Sequence, residues 1–159
     1  GGSFKGEEPV KHWLKTRFDV HLVAEMIKTG AVIDTIEIAS TWEKATELYH
    51  RTIESLKEVD GTVHASGHFS HFYQDGACLY LTFAGFPTSP DEYYWQTWGA
   101  VMETTLKLGG TISHHHGVGL VRAKWIRKEL GEYLEVLKKI KNAIDPQKIF
   151  NPGKLGWGE

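Results

Sequence analysis

Apolar positions along the chain change period several times, and each change marks the edge of an element. Between residues 9 and 29, Trp13, Leu14, Phe18, Leu22, Met26 and Ile27 recur at near-helical spacing, and Gly30 is placed to end that helix. Residues 32–39, rich in isoleucine and threonine, follow as a strand. Ser40 with Glu43 three positions on has the form of a capping box. It predicts a helix with the apolar stripe Trp42, Ala45, Leu48, Tyr49, Ile53, Leu56 and Val59, closed by Asp60-Gly61. Residues 62–73 and 77–86 read as two strands joined by Gln74-Asp75-Gly76 into a hairpin. Ser89-Pro90-Asp91-Glu92 supplies a cap, a proline at the first helical position and first-turn acids, predicting a helix that runs to Leu108 before Gly109-Gly110. A short extended piece, 111–113, precedes a helical pattern over 120–144, which Asp145-Pro146 stops.

The resulting order is β-α-β-β-α-β with helices at both ends. It predicts an α+β fold of ferredoxin-like type, an antiparallel sheet with helices packed on one face. Residues 1–31 read as an N-terminal helical segment and 32–159 as the layered domain. Alternation puts Ala77, Leu79, Leu81 and Phe83 on one face of the second hairpin strand and Cys78, Tyr80 and Thr82 on the other. In the first, Val63, Ala65 and Phe69 oppose His64, Ser66, His68 and Ser70. A three-residue loop pairs Ser70 with Tyr80 and His68 with Thr82, which keeps the apolar sets together. Tyr80, His64 and His68 are therefore expected on the side away from the helices.

Composition narrows the field without deciding it. The 159 residues are 41% hydrophobic and 24% charged with a formal net charge of -2, which suits one globular domain and offers no basic field for nucleic acid. A single cysteine, Cys78, rules out an internal disulfide and fits a reducing cytoplasm. No apolar run approaches the roughly 20 residues of a spanning helix, and Gly1-Gly2-Ser3 reads as an expression remnant rather than a signal peptide. Six tryptophans, six tyrosines and seven phenylalanines indicate a core, and a pocket, rich in flat rings, with core filling accounting for most of them. The sheet face away from the helices, left unoccupied, makes a homodimer an expectation.

The chemistry concentrates in Ser113-His114-His115-His116-Gly117-Val118-Gly119, with Arg122 shortly after. Three adjacent imidazoles at a glycine-rich strand-to-helix junction are poor packing residues, because a core cannot cheaply satisfy six ring nitrogens. The glycines allow a tight turn, and backbone N–H groups at the following helix start suit an anionic group. A metal held by His64, His68 and the triplet is chemically conceivable, since imidazole suits zinc, copper and nickel. The absence of cysteine or carboxylate at ligand spacing favours a site without metal.

Residues 109–119 followed by Arg122 closely resemble the histidine-triplet motif of alkyldihydroxyacetonephosphate synthases. Asp75-Gly76-Ala77-Cys78-Leu79-Tyr80 resembles the catalytic-tyrosine strand of the same family. The ending Asp145-Pro146-Gln-Lys-Ile-Phe-Asn-Pro-Gly-Lys154 resembles the C-terminal signature of FAD-linked oxidases of the vanillyl-alcohol-oxidase type. The resemblance implies a substrate-binding, flavin-capping C-terminal domain whose FAD-binding domain is a separate part, missing from these residues, so that the chain alone is inactive. It implies FAD as cofactor, a small-molecule or lipid-like substrate, and exchange of an alkyl for an acyl group on a glycerone phosphate ester at flavin N5, a step of ether lipid synthesis. It further implies Tyr80 as the acid/base, His114, His115 and His116 beside flavin and substrate, Gly117 and Asn151 as cofactor contacts, and His68 and Arg122 as substrate contacts. A phenol titrates near 10 in its reference state, so such a tyrosine needs neighbouring cations or hydrogen bonds to act as a base. One departure bears on substrate: where the synthases carry an arginine, the residues here read His21-Leu22-Val23-Ala24, and Val23 offers no fork to a phosphate. An FAD-linked oxidoreductase of an alcohol or 2-hydroxy acid is the alternative, and a stand-alone binding module a second one.

Overall fold

The computed structural model describes residues 2–157. Ten residues, Val32–Thr41, form β1, and Trp42–Glu58 return as helix α3 over the sheet. Thr62–Phe72 and Gly76–Gly85 are the hairpin strands β2 and β3, and Pro90–Lys107 form α4. The sheet order is β1-β3-β2 with both pairings antiparallel, so β3 is central and the crossover through α3 joins two parallel outer strands. Alternation decides the layering. Ile36, Ile38, Leu79, Leu81 and Phe83 enter the core with Leu48, Ile53 and Leu56 of α3 and Trp98, Val101 and Met102 of α4. The predicted α+β architecture and the predicted faces of the hairpin both hold.

Several expectations are corrected. The fourth strand shrinks to one bridge, Ala39 with Thr111, although it lies beside β1 where a ferredoxin-like order puts it. The side chain of Glu129 supplies what a longer ladder would have, accepting from the Thr111 hydroxyl at 2.5 Å and the Ile112 N–H at 3.0 Å. The capping box does not form. β1 runs on through Ser40 and Thr41, which pair with Ala77 and Gly76, so Thr41 is the N-cap and the Ser40 hydroxyl turns to the Thr41 carbonyl.

The N-terminal helix is two helices, α1 (Glu8–Thr16) and α2 (His21–Lys28), because the Asp19 carboxylate accepts the His21 N–H and starts the second. The C-terminal helix also splits, into α5 (Ala123–Leu130) and α6 (Tyr133–Ile144), at Gly131 with φ 53°. The hairpin register differs by two from the expectation: His68 faces Tyr80 and Ser70 faces Cys78. A bulge between Ser70 and Phe72 takes up His71 as an extra residue, and a two-residue slip leaves each side chain on its expected face. Among the described residues no helix is long and apolar enough to cross a membrane.

Candidate functional site

The open face of the sheet is organised around a carboxylate that does not touch solvent. Glu37 of β1 is fully buried, opposite Tyr80 of β3. Its Oε1 accepts the backbone N–H groups of both His114 and His115 at 2.6 Å, and its Oε2 lies 3.4 Å from Arg122 Nη2. An uncompensated carboxylate at such a depth would cost several kcal/mol, so the two amides and the guanidinium are what make it tolerable. Arg122 donates in turn to the carbonyls of Ile112 at 2.7 Å, Gly117 at 3.1 Å and Glu37 at 3.0 Å. It therefore ties both ends of the histidine loop to β1, and its other side stacks 5.0 Å over the Trp98 ring. Burial pushes its guanidinium below the ordinary value, with the Glu37 carboxylate opposing that shift.

This clamp presents two groups of side chains. Tyr80 sits with its ring edge-on to His116 at 5.3 Å and tilted against His68 at 5.4 Å, and its oxygen accepts the Thr35 hydroxyl at 3.2 Å. Beside it, His114 and His115 face each other with Nδ1 atoms 3.1 Å apart, and His115 Nδ1 lies 3.2 Å from Glu37 Oε1. His71 stacks 4.3 Å from His115, Tyr73 lies 5.3 Å from His114, and Cys78 Sγ is 4.0 Å from His115 Nδ1. Burial pushes the Cys78 thiol up, a Ser70 hydrogen bond opposes this, and the charge on Glu37 adds to it.

Of the residues singled out in the sequence, Tyr80, His68, His114, His115 and His116 come together. Gly117 is beside them at φ 77°, a backbone conformation that explains the glycine. Arg122 is also present, but its donors are spent on the scaffold rather than turned to a ligand. The structure does not bring Asn151 to the imidazoles. Asn151 lines a cavity of about 490 Å³ with Lys138, Lys141, Asn142, Lys148 and Trp157. His64 is likewise apart, exposed and paired with Ser66 at 2.9 Å. Glu37, His71 and Tyr73 escaped sequence reasoning. A glutamate inside Ile-Glu-Ile-Ala reads as a solvent-facing strand position, and only its opposition to Tyr80 hints otherwise.

The helices thus pack on one face of the sheet, and a half-exposed wall of imidazole and phenol lines the other. The family model for FAD linked oxidases, C-terminal domain, matches residues 5–155, and the chain belongs to that family. The alkyldihydroxyacetonephosphate synthase of Trypanosoma brucei brucei is 29% identical over 163 residues, covering 98% of this chain and 27% of that protein. The uncharacterized FAD-linked oxidoreductase YgcU of Escherichia coli (strain K12) is 29% identical over 141 residues, covering 82% of this chain and 29% of its own length. A solved structure of an alkyldihydroxyacetonephosphate synthase shares the fold with a TM-score of 0.62 at 22% identity, over 95% of this chain and 25% of that one. The chain thus spans little more than a quarter of the curated relatives' length.

FAD is the cofactor of this family. The residues present fit such a group: His68, Tyr80 and His116 form an aromatic, donor-bearing wall, and the Ser113 hydroxyl just ahead of the triplet is buried without a partner among the described residues.

Proposed function

We propose that this chain is the substrate-binding cap of an FAD-dependent enzyme of the alkyldihydroxyacetonephosphate synthase kind, working on a glycerone phosphate ester. The observation that carries this reading is the convergence of Tyr80, His68 and His116 on the helix-free face. When bound, FAD supplies the electron-accepting ring beside which the substrate carbon reacts. Tyr80 holds the proton that must move. Its oxygen accepts from Thr35, which leaves its own O–H free to donate, and His116 or His68 can receive or return that proton. His114 and His115 keep the triplet in place through backbone bonds to Glu37, and Arg122 is a positioning residue. Alone, the chain has the wall and not the flavin, and is inactive.

Tyr80→Phe in the flavin-loaded enzyme is expected to lower turnover about 10²–10⁴-fold while leaving flavin binding intact. Turnover within a few-fold of the unsubstituted enzyme would remove Tyr80 from the chemistry.

A specific observation favours a second reading, an oxidoreductase acting on an alcohol or a 2-hydroxy acid. Helix α2 carries no arginine, and Val23 stands where a phosphate-binding one is expected. Anaerobic bleaching of the flavin by 2-hydroxy acids would select this reading over the synthase, and unchanged flavin absorbance would select the synthase.

A further inference from the structure

Next to the Tyr80 wall, a second set of side chains converges that the proposed reaction does not use. His71, Cys78, His114 and His115 each offer one ligand atom, and these four atoms all lie within 4.8 Å of one another. Two come from the hairpin. Cys78 is fixed in the central strand with no exposed surface, and His71 is the extra residue of the bulge, at φ 51°. The other two come from the loop that Glu37 clamps by its backbone.

The spacing suits free imidazoles poorly. Two ring nitrogens 3.1 Å apart satisfy each other only by sharing a single proton, and a third imidazole and a thiol crowd the same few ångströms. It suits a shared cation well. Around a tetrahedral zinc ion, with bonds of about 2.0–2.1 Å to nitrogen and about 2.3 Å to sulfur, neighbouring nitrogens lie about 3.3 Å apart and sulfur about 3.5 Å from nitrogen. The observed 3.1 Å between His114 and His115 and 4.0 Å from His115 to Cys78 bracket those edges. All four ligand atoms lie within 4.8 Å of one another, and the exposed His71 side chain has room to rotate toward the other three.

We propose that His71, Cys78, His114 and His115 form a zinc-binding site. Three imidazoles and a thiolate are a donor set for a borderline-soft, four-coordinate ion rather than for magnesium or calcium. The Glu37 carboxylate, 3.2 Å from His115, adds a buried negative charge beside it. On coordination the thiol releases its proton to solvent. With four protein ligands the site is closed, so the ion's part is structural: it staples the β2–β3 hairpin to the histidine loop and thereby fixes His116 against Tyr80. The site needs neither flavin nor substrate, and it stands independently of the proposed reaction.

Titration of the metal-free chain with cobalt(II) tests it. One ion per chain is expected, with a thiolate-to-cobalt charge-transfer band and the intense visible bands of four-coordinate cobalt, both abolished by added zinc. Cys78→Ser removes the charge-transfer band, and His71→Ala weakens binding at least tenfold. His64→Ala, outside the cluster, leaves binding unchanged. Should Cys78→Ser fail to fold, His71→Ala carries the test, since that side chain is exposed and no part of the core. A spectrum that stays that of the hydrated six-coordinate ion, or equal affinity in the unsubstituted chain and His71→Ala, would overturn the site in favour of loose binding to surface histidines.

Discussion

Glu37 and Arg122 act as a unit, and the unit explains why the histidine loop has one shape. Neither is stable at its depth alone: the carboxylate holds two loop amides, the guanidinium holds three carbonyls, and each offsets the other's charge. Removing one partner of a buried pair leaves the other uncompensated, which costs more than the pair itself contributes. Arg122→Leu is therefore expected to lower stability by about 3–5 kcal/mol, read from the urea midpoint. A smaller loss is expected for Arg122→Lys, which keeps the charge and loses the fork. An unchanged midpoint for Arg122→Leu would mean that the pair does not hold the loop. The contrast with Tyr80 shows what a sequence reveals. The triplet could be read because three adjacent imidazoles are costly to spend on packing, and Tyr80, an ordinary strand aromatic by residue type, only through the motif around it. Glu37 looks like any strand glutamate, and its burial arises only when a loop nearly eighty residues downstream folds over it.

Elements rather than residues decide where His71 points. Strict alternation over β2 would send it toward the helices, and the bulge breaks that alternation for one residue, placing Phe72 back on the core face against Trp42 at 5.6 Å. Periodicity predicts faces well and cannot predict such an insertion, which is why the faces were legible and the register was not. The same distinction holds at the C-terminus. Asp145-Pro146 predicted the end of α6, but not that Asp145 would cap the segment that follows. Its carboxylate accepts from the N–H groups of Ile149 and Phe150, each at 3.0 Å, and from Lys141. The Lys141 hydrogen bond, opposed by burial and aided by the two amides, holds the carboxyl below its ordinary value. A depressed carboxyl stabilises the fold fully above the unfolded value of about 4, and that contribution is lost as pH falls through the folded one. Protection of the Ile149 and Phe150 amides, their exchange relative to the unprotected rate at the same pH, is thus expected to be high at neutral pH and to fall below about pH 4. Asp145→Asn should give fast exchange already at pH 7. Equal protection at pH 7 and pH 3 in the unsubstituted chain, each taken relative to the unprotected rate at that pH, would exclude this cap.

At the scale of the whole molecule, the N-terminal helices stand apart from the rest. α1 buries none of its residues and packs on no other element among those described, and α2 touches only the start of β1. Trp13, Leu14, Phe18, Leu22 and Ile27 are all exposed, five large apolar side chains spread over the two helices and the link between them. The main core cluster, by contrast, is complete without them: its buried residues run from Ile36 to Leu134, and the only other buried apolar residue ahead of it among those described, Ala31, lies after both helices. Deleting residues 2–28 should therefore leave a single cooperative unfolding transition and shift stability by under about 1 kcal/mol. An FAD-binding part that covers these side chains would assemble more weakly after the same deletion, while the sheet domain stays folded. Loss of cooperative unfolding on deletion would instead make the two helices integral to this fold, and would leave the open sheet face as the one surface offered to a flavin.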